Sequence, residues 1–359
     1  MSGARDRARD GERLRSATSH GHDHDAPAVV VESVGHATRQ DLGRPGLGHL
    51  GIVAHGAADR WSAQLANALV GNPYSTPLLE VTASQLVLRP AADTLMVVTG
   101  ADVETTRAGP AVPVGDPFVA AAGDRVVVGA PRHGLRSYVA FAGGVTGASK
   151  LGSVSPDPTL GLDARLTMGE VVGLRACVCG YRHPHLIHPV FRVAPPPPKW
   201  STTVHVEITA GPESDEFETD ALAVEWRVSD RSDHVGLRID GTSPRRSSGR
   251  EILSRGVPVG AVEVPPDGGL LLLLRGRLLT AGYPVLGIAS STSVDRLAQA
   301  RPGDTIRFRS IDARSAIEAA RRRQGELLRL TRSAQVVLHA AGVVAATKTW
   351  AASPTPDHH

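Results

Sequence analysis

The chain has 359 residues, of which 41% are hydrophobic, 21% charged and only 4% aromatic, the balance of a soluble globular protein of about two domains with cores of Val, Leu, Ile and Ala. Its formal charge of +3 is unevenly placed: residues 314–332 hold six arginines against two glutamates, a local +4 that leaves −1 for the rest. The body is therefore no nucleic-acid surface, and since no apolar run reaches the ~20 residues of a membrane span, the expectation is a cytoplasmic protein without a membrane segment.

Residues 1–28 interleave five arginines with five acids and have little to bury, so they read as a disordered leader without the apolar stretch of a secretion signal. The "HGHDHD" within it lacks the rigid frame that fixes a metal geometry. "AVVVESVG" (28–35) is β-rich, and a glycine-rich loop follows. Residues 56–73 predict a helix, with Trp61, Leu65 and Leu69 forming one stripe and Gly71, Asn72 and Pro73 supplying the stop. From there to about 192 the chain reads strand, turn, strand, in short Val-rich segments bounded by Gly, Pro or Asp. The prolines 195–198 make a stiff linker, after which the strand pattern resumes up to "DTIRF". "GGLLLLLR" (268–275) in this half is far too short to cross a membrane, which leaves a buried core strand or the floor of a site. Two β-rich halves about a linker predict two mainly β domains. Residues 310–332 change to a helical pattern, with a capping box at Ser315–Glu318 and Ile317, Leu327 and Leu328 on one face; the arginines there suit a solvated helix face better than an RNA, phosphate or membrane contact. The end, "SPTPDHH", reads as floppy.

Several motifs carry less than their spelling suggests. Gly46–Gly51 is literally G-x-G-x-x-G, but Arg44-Pro45 breaks the approach and no second parallel strand ends in an acid, so the dinucleotide reading is disfavoured; a loop of backbone amides able to receive an anion is what remains. "HPHLIH" (183–188) offers three imidazoles between prolines without an acid or cysteine in reach, and no metal site is expected. Cys177 and Cys179 fit neither a zinc knuckle nor a redox pair and read as two reduced strand residues. No Gly-x-Ser-x-Gly elbow is present.

"QDLGRPGLGHLGIVAHGAADRWSAQLANALVGNPYSTPLLEVT" (40–82) resembles the start of the biotin-dependent carboxyltransferase family, which includes the C-type component of 5-oxoprolinase, allophanate hydrolase subunit 2 and the antagonist of the sporulation kinase inhibitor. "PRHGLRSYVAFAGGV" (131–145), "AGPESDEF" (210–217), "SDHVGLRIDG" (232–241), "GAVEVPPDGGLLLLL" (260–274) and "GYPVLGIASSTSVDRLAQARPGDTIRF" (282–308) follow in the family's order. The resemblance implies a mainly β fold of two cyclophilin-like β-barrel subdomains with a few short helices. Laid on the chain, these are a leader (1–28), a first barrel (29–194), a Pro-rich linker (195–200), a second barrel (201–310) and an Arg-rich helical tail with a flexible end (311–359).

It also implies a function. Such proteins work beside a B-type partner and, in 5-oxoprolinase, an A-type one as well, where the complex uses ATP to open 5-oxoproline to glutamate. In urea amidolyases the related module moves CO2 from carboxybiotin, and this chain has no Met-Lys biotinylation signature, so biotin would arrive on a partner. Both chemistries act on a planar lactam or urea-type amide, whose carbonyl oxygen must be polarised. Carried over by the resemblance, the site falls on Asp41, Arg44, Glu80, Arg277 and Tyr283 as catalytic residues and on Asn67, Asp233, Arg238 and Thr280 as substrate-binding ones, with no metal. The second half departs from the pattern: Asp, Gln, Thr and Gly of the family have become Gly276, Leu278, Leu279 and Ala281, an Arg-Met pair has become His234-Val235, and Glu263 stands where the family has Gln. A leucine cannot orient an amide and a glycine cannot take a proton, so this wall of the site reads as turned apolar. Three expectations stand beside each other: a working part of a 5-oxoproline-opening complex, a non-catalytic protein that binds or regulates, and a carboxyltransferase subunit that acts from carboxybiotin on a urea- or allophanate-type amide.

Overall fold

The computed structural model describes residues 27–177, 191–193, 200–218, 221–342 and 346–347. The leader, the His-rich stretch 183–188, Cys179, the prolines 195–198 and the last residues lie outside them. The first half forms a six-stranded and a five-stranded sheet of antiparallel neighbours. Between them lies one core, to which Val29, Leu86, Leu88 and Val126 contribute from the first sheet and Leu79, Met96, Val139 and Phe141 from the second. Alternation along each strand sends one set of side chains inward.

The second half closes as a seven-stranded barrel. In order around it run Thr203–Ala210, Val285–Ala289, Ala261–Glu263, Leu270–Leu273, Gly236–Asp240, Trp226–Val228 and Thr305–Ser310, and the last pairs in parallel with the first, Thr203 opposite Thr305. The leucine run is a wall of this barrel. Leu270, Leu272 and Leu274 face its interior with Trp226 and Ile239, while Leu273 packs outside on Val257, Ala261 and Val285. Both faces are covered, which is why the sequence there is continuous and not alternating.

Three α-helices are described. Helix α1, Arg60–Leu69, is capped by Asp59, whose carboxylate accepts from the Ser62 amide, and lies on the five-stranded sheet. Its buried face is Ala63, Ala66 and Leu69; Trp61 and Leu65 of the expected stripe are only half-buried, because they turn toward the tail. Helix α2, Ser291–Leu297, joins barrel strand to barrel strand. Helix α3, Ala313–Ala340, is the arginine-rich tail, and it starts three residues before the expected box: Asp312 is the cap, accepting from the Ser315 amide. It packs on α1 through Leu327, Ala334 and Leu338, whereas Ile317 and Leu328 are exposed, so the expected apolar face is corrected.

Cys177 is also corrected, being disulfide-bonded rather than a reduced thiol. Gly48–Leu50 is a single 3-10 turn with no helix behind it, and every described strand pair but one is antiparallel, which removes the dinucleotide reading. Among the described residues, no helix is long and apolar enough to cross a membrane and no cluster of His, Cys, Asp or Glu suits a metal ion.

Candidate functional site

The two halves meet along a buried polar seam. Gln299, just past α2, accepts with one amide oxygen from the backbone N–H groups of Leu135 (3.0 Å) and Arg136 (2.9 Å), and donates to Asp59 Oδ2 (2.8 Å) and the Arg136 carbonyl (3.0 Å). Arg136 donates back to the Ala298 carbonyl. Arg275, from the end of the leucine run, donates to the Ala58 carbonyl (3.1 Å) and to Asp295 Oδ1 (2.9 Å), which also receives the Arg60 amide at 3.1 Å. Burial and the neighbouring Asp59 charge push the Asp295 carboxyl up to about 6, against the pull of Arg275.

The loop 41–57 rises beside this seam, and two of the expected site residues hold it. Asp41 is a buried acceptor for four groups: Gly43 N (2.7 Å), Ser153 Oγ (2.6 Å), Ser155 Oγ (2.7 Å) and Val154 N (2.9 Å). Arg44, 2% exposed, donates to Asp157 (3.1 Å), the Ser155 carbonyl (2.6 Å) and the Lys150 carbonyl (3.3 Å). A buried guanidinium on this many acceptors is a tie that few other residues can replace. Glu80 accepts the Ala58 amide (3.0 Å) and stands 3.7 Å from Arg136 Nε, fixing the start of α1. Asn67 donates to the Tyr74 (3.2 Å) and Thr76 (2.8 Å) carbonyls and so ties α1 to the next loop. These four support the seam from within the first half.

On the barrel side, Asp233 accepts from Val235 N (2.8 Å) and Gly236 N (3.2 Å), closing the turn that carries His234. Arg238 lies 3.7 Å from Asp267 and is partly exposed. Arg277 donates to the Val257 carbonyl (2.9 Å), and burial lowers its pKa. Thr280 and Tyr283 are exposed on the rim, and so is Leu278 at 69%. The changed wall is thus an open apolar lip and not a filled core. A Cβ at Gly276 would stand 2.6 Å from the His234 carbonyl oxygen, so the family's acid has no room here while the His234 turn keeps this course.

His55 is the residue that motif reading passed over. It sits in the loop at φ +51°, a left-handed conformation that costs energy for any side chain. Its Nε2 is 3.7 Å from Asp157, and its pKa is lowered by burial first, with Arg44 and His234 adding to the lowering against Asp157. The influence of His234 places it where the loop faces the barrel; Leu279 likewise reaches the loop at Gly48. The only signal in the sequence was a histidine beside Gly56 in a glycine-rich loop. The loop thus carries an imidazole whose pKa is lowered by burial, and the barrel carries a desolvated guanidinium at Arg277 and two rim hydroxyls at Thr280 and Tyr283.

A two-sheet unit and a seven-stranded barrel sharing a buried polar seam define the class, a tandem β carboxyltransferase-type fold. The chain belongs to the family described as carboxyltransferase domain, subdomain A and B, which it matches over residues 50–310. It is 30% identical to the 5-oxoprolinase C subunit of Escherichia coli, covering 82% of this chain and 94% of that one. It is 33% identical to the solved structure of TTHA0988, at a TM-score of 0.69 over 80% of this chain, and spans just over half (56%) of that protein. The Kluyveromyces lactis urea amidolyase structure shares the fold at a TM-score of 0.75 and 22% identity, with 85% of this chain matching 20% of that one.

Proposed function

We propose that this chain is the C-type component of a 5-oxoprolinase, binding a lactam at the seam and working with B-type and A-type partners, with ATP consumed by the assembled complex. The observation that carries this reading is the match itself: 30% identity to the E. coli C subunit extends over 94% of that protein, against 22% identity to the urea amidolyase structure. His55 is the proton acceptor in this reading, because its lowered pKa leaves it neutral at pH 7. Arg277 and the hydroxyls of Thr280 and Tyr283 hold the lactam oxygen, and Asp41, Arg44 and Glu80 keep the loop in place. The Gly46–Gly51 turn lacks the helix start that cradles phosphates, so nucleotide binding falls to the partners and no step here runs through it. The test is 5-oxoproline-dependent ATP hydrolysis by the chain mixed with A-type and B-type 5-oxoprolinase proteins. His55→Gln should lower kcat about a hundredfold with the complex intact; no turnover by a correctly assembled wild-type complex refutes the reading.

The exposed Leu278 and the occupied space at Gly276 favour one further reading, a non-catalytic member of the same kind of complex. Restoring family residues separates the two, but Gly276→Asp alone meets His234. The combined variant His234→Arg, Gly276→Asp, Leu278→Gln is the fair one. Gain of turnover marks a decayed enzyme, and none marks a scaffold.

A further inference from the structure

A cavity of about 560 Å³ lies between α1, the start of the barrel and α3, and none of the nine expected site residues lines it. Its apolar walls are Trp61, Leu65, Trp200 and Leu330. Arg323 lies over the Trp61 ring, 4.3 Å from its centroid. The volume is that of a small-molecule site.

Two donors on these walls have no acceptor. Trp200 Nε1 and Arg323 Nε are both buried without a hydrogen-bond partner among the described residues. Leaving such a donor unmet is costly, the more so when it is charged. A second cavity of about 520 Å³ shares Arg296, Arg323 and Glu326 with the first and adds Arg322, Arg329 and Glu207, four arginines against two glutamates. The other carboxylates of the first cavity are engaged: Asp59 by Ser62 and Gln299, Asp295 by Arg275, and Asp304 by the Arg301 amide. Arg323, Glu326 and Leu330 stand on α3, beyond the residues 50–310 that match the family.

We infer that this chamber is a second binding site, for an organic anion with a flat apolar body. The body lies against Trp61 and Trp200, and the anionic oxygens accept from Arg323 and from the Trp200 indole N–H. A flat apolar group meets the indoles well, and a guanidinium fork prefers a planar carboxylate or a phosphate. The inference does not depend on the lactam reading, since it uses different residues.

The probe pair is naphthalene-2-carboxylate and naphthalene-2-carboxamide, titrated calorimetrically into the full chain. The carboxylate should bind one to one and at least about tenfold more tightly than the neutral amide. Arg323→Gln should abolish that preference, Trp200→Phe should weaken carboxylate binding several-fold, and Arg314→Gln, on exposed helix, should change nothing. Should Arg323→Gln loosen α3, seen as lost helical circular dichroism, Arg323→Lys keeps the charge and should keep part of the preference. Equal binding of both probes, binding indifferent to Arg323 and Trp200, or no binding at millimolar probe overturns the proposal.

Discussion

Glu263 is 1% exposed on the outer face of the strand Ala261–Glu263, beside Ala261 and Val285, and its Oε1 has no hydrogen-bond partner. Burial alone raises its pKa from 4.5 to about 7. The folded state therefore disfavours the carboxylate. The penalty is absent below about pH 4.5, grows between 4.5 and 7, and is complete above 7. The family's glutamine at this place has the same shape and no charge, so Glu263→Gln should stabilise the chain by ~1–3 kcal/mol at pH 8 and by far less at pH 5. Urea unfolding of both proteins at the two pH values checks this, and equal differences at both would refute it. The departure from the family at 263 was legible as a substitution, but its cost was not, because nothing in the sequence says that the partner strands leave no donor or counter-charge there. Asp41 and Arg44 teach the converse. Their family positions were plain, yet their partners Ser153, Ser155 and Asp157 lie over a hundred residues away, so only the fold reveals that both hold a loop.

At the scale of elements, α3 is held by three buried contacts of differing kind. Leu327 is fully buried, Leu338 lies over Gly71 at the end of α1, and the Tyr74 hydroxyl bonds Thr331 Oγ1 at 3.0 Å. Leu327→Ala should cost ~2–4 kcal/mol, the range for a buried leucine whose neighbours relax only in part. Amide hydrogen exchange is the sharper measurement, since protection should fall in α3 and α1 together and stay unchanged in the barrel; uniform loss throughout would contradict the local docking described. The helices themselves were legible from periodicity and stop residues. Their faces were not. A stripe of Trp61, Leu65 and Leu69 is a sound reading of an isolated helix, but the sheet under α1 admits small residues, and Ala63 and Ala66 take that place while Trp61 serves the tail. The leucine run shows the same limit. Its apolar character fixed a core strand, and only the ring of barrel strands explains why both of its sides are dry.

For the whole molecule, the seam is the question of whether two subdomains behave as one. Gln299 makes all four of its described side-chain hydrogen bonds across it, to Asp59, Leu135 and Arg136, and Arg301 adds donors to the Pro131, Arg132 and Gly134 carbonyls. The coupling these bonds provide is polar and depends on complete satisfaction of the network. Gln299→Leu keeps the volume, takes the shared side-chain acceptor from the Leu135 and Arg136 amides and leaves Asp59 Oδ2 with Ser62 alone, a loss of ~2–5 kcal/mol if the halves stay docked. Undocking relieves that loss by letting water reach the same groups. The expected outcome is that calorimetric unfolding, one transition in the wild type, splits into two in Gln299→Leu, with the barrel and the two-sheet unit melting apart. Gln299→Glu should behave differently, because it keeps one acceptor for the two amides but sets a second carboxylate against Asp59, so its split should widen as pH rises through the carboxylate range. A single unshifted transition in both variants would mean that α3 and the barrel's own contacts, and not the seam, make the two halves one cooperative unit.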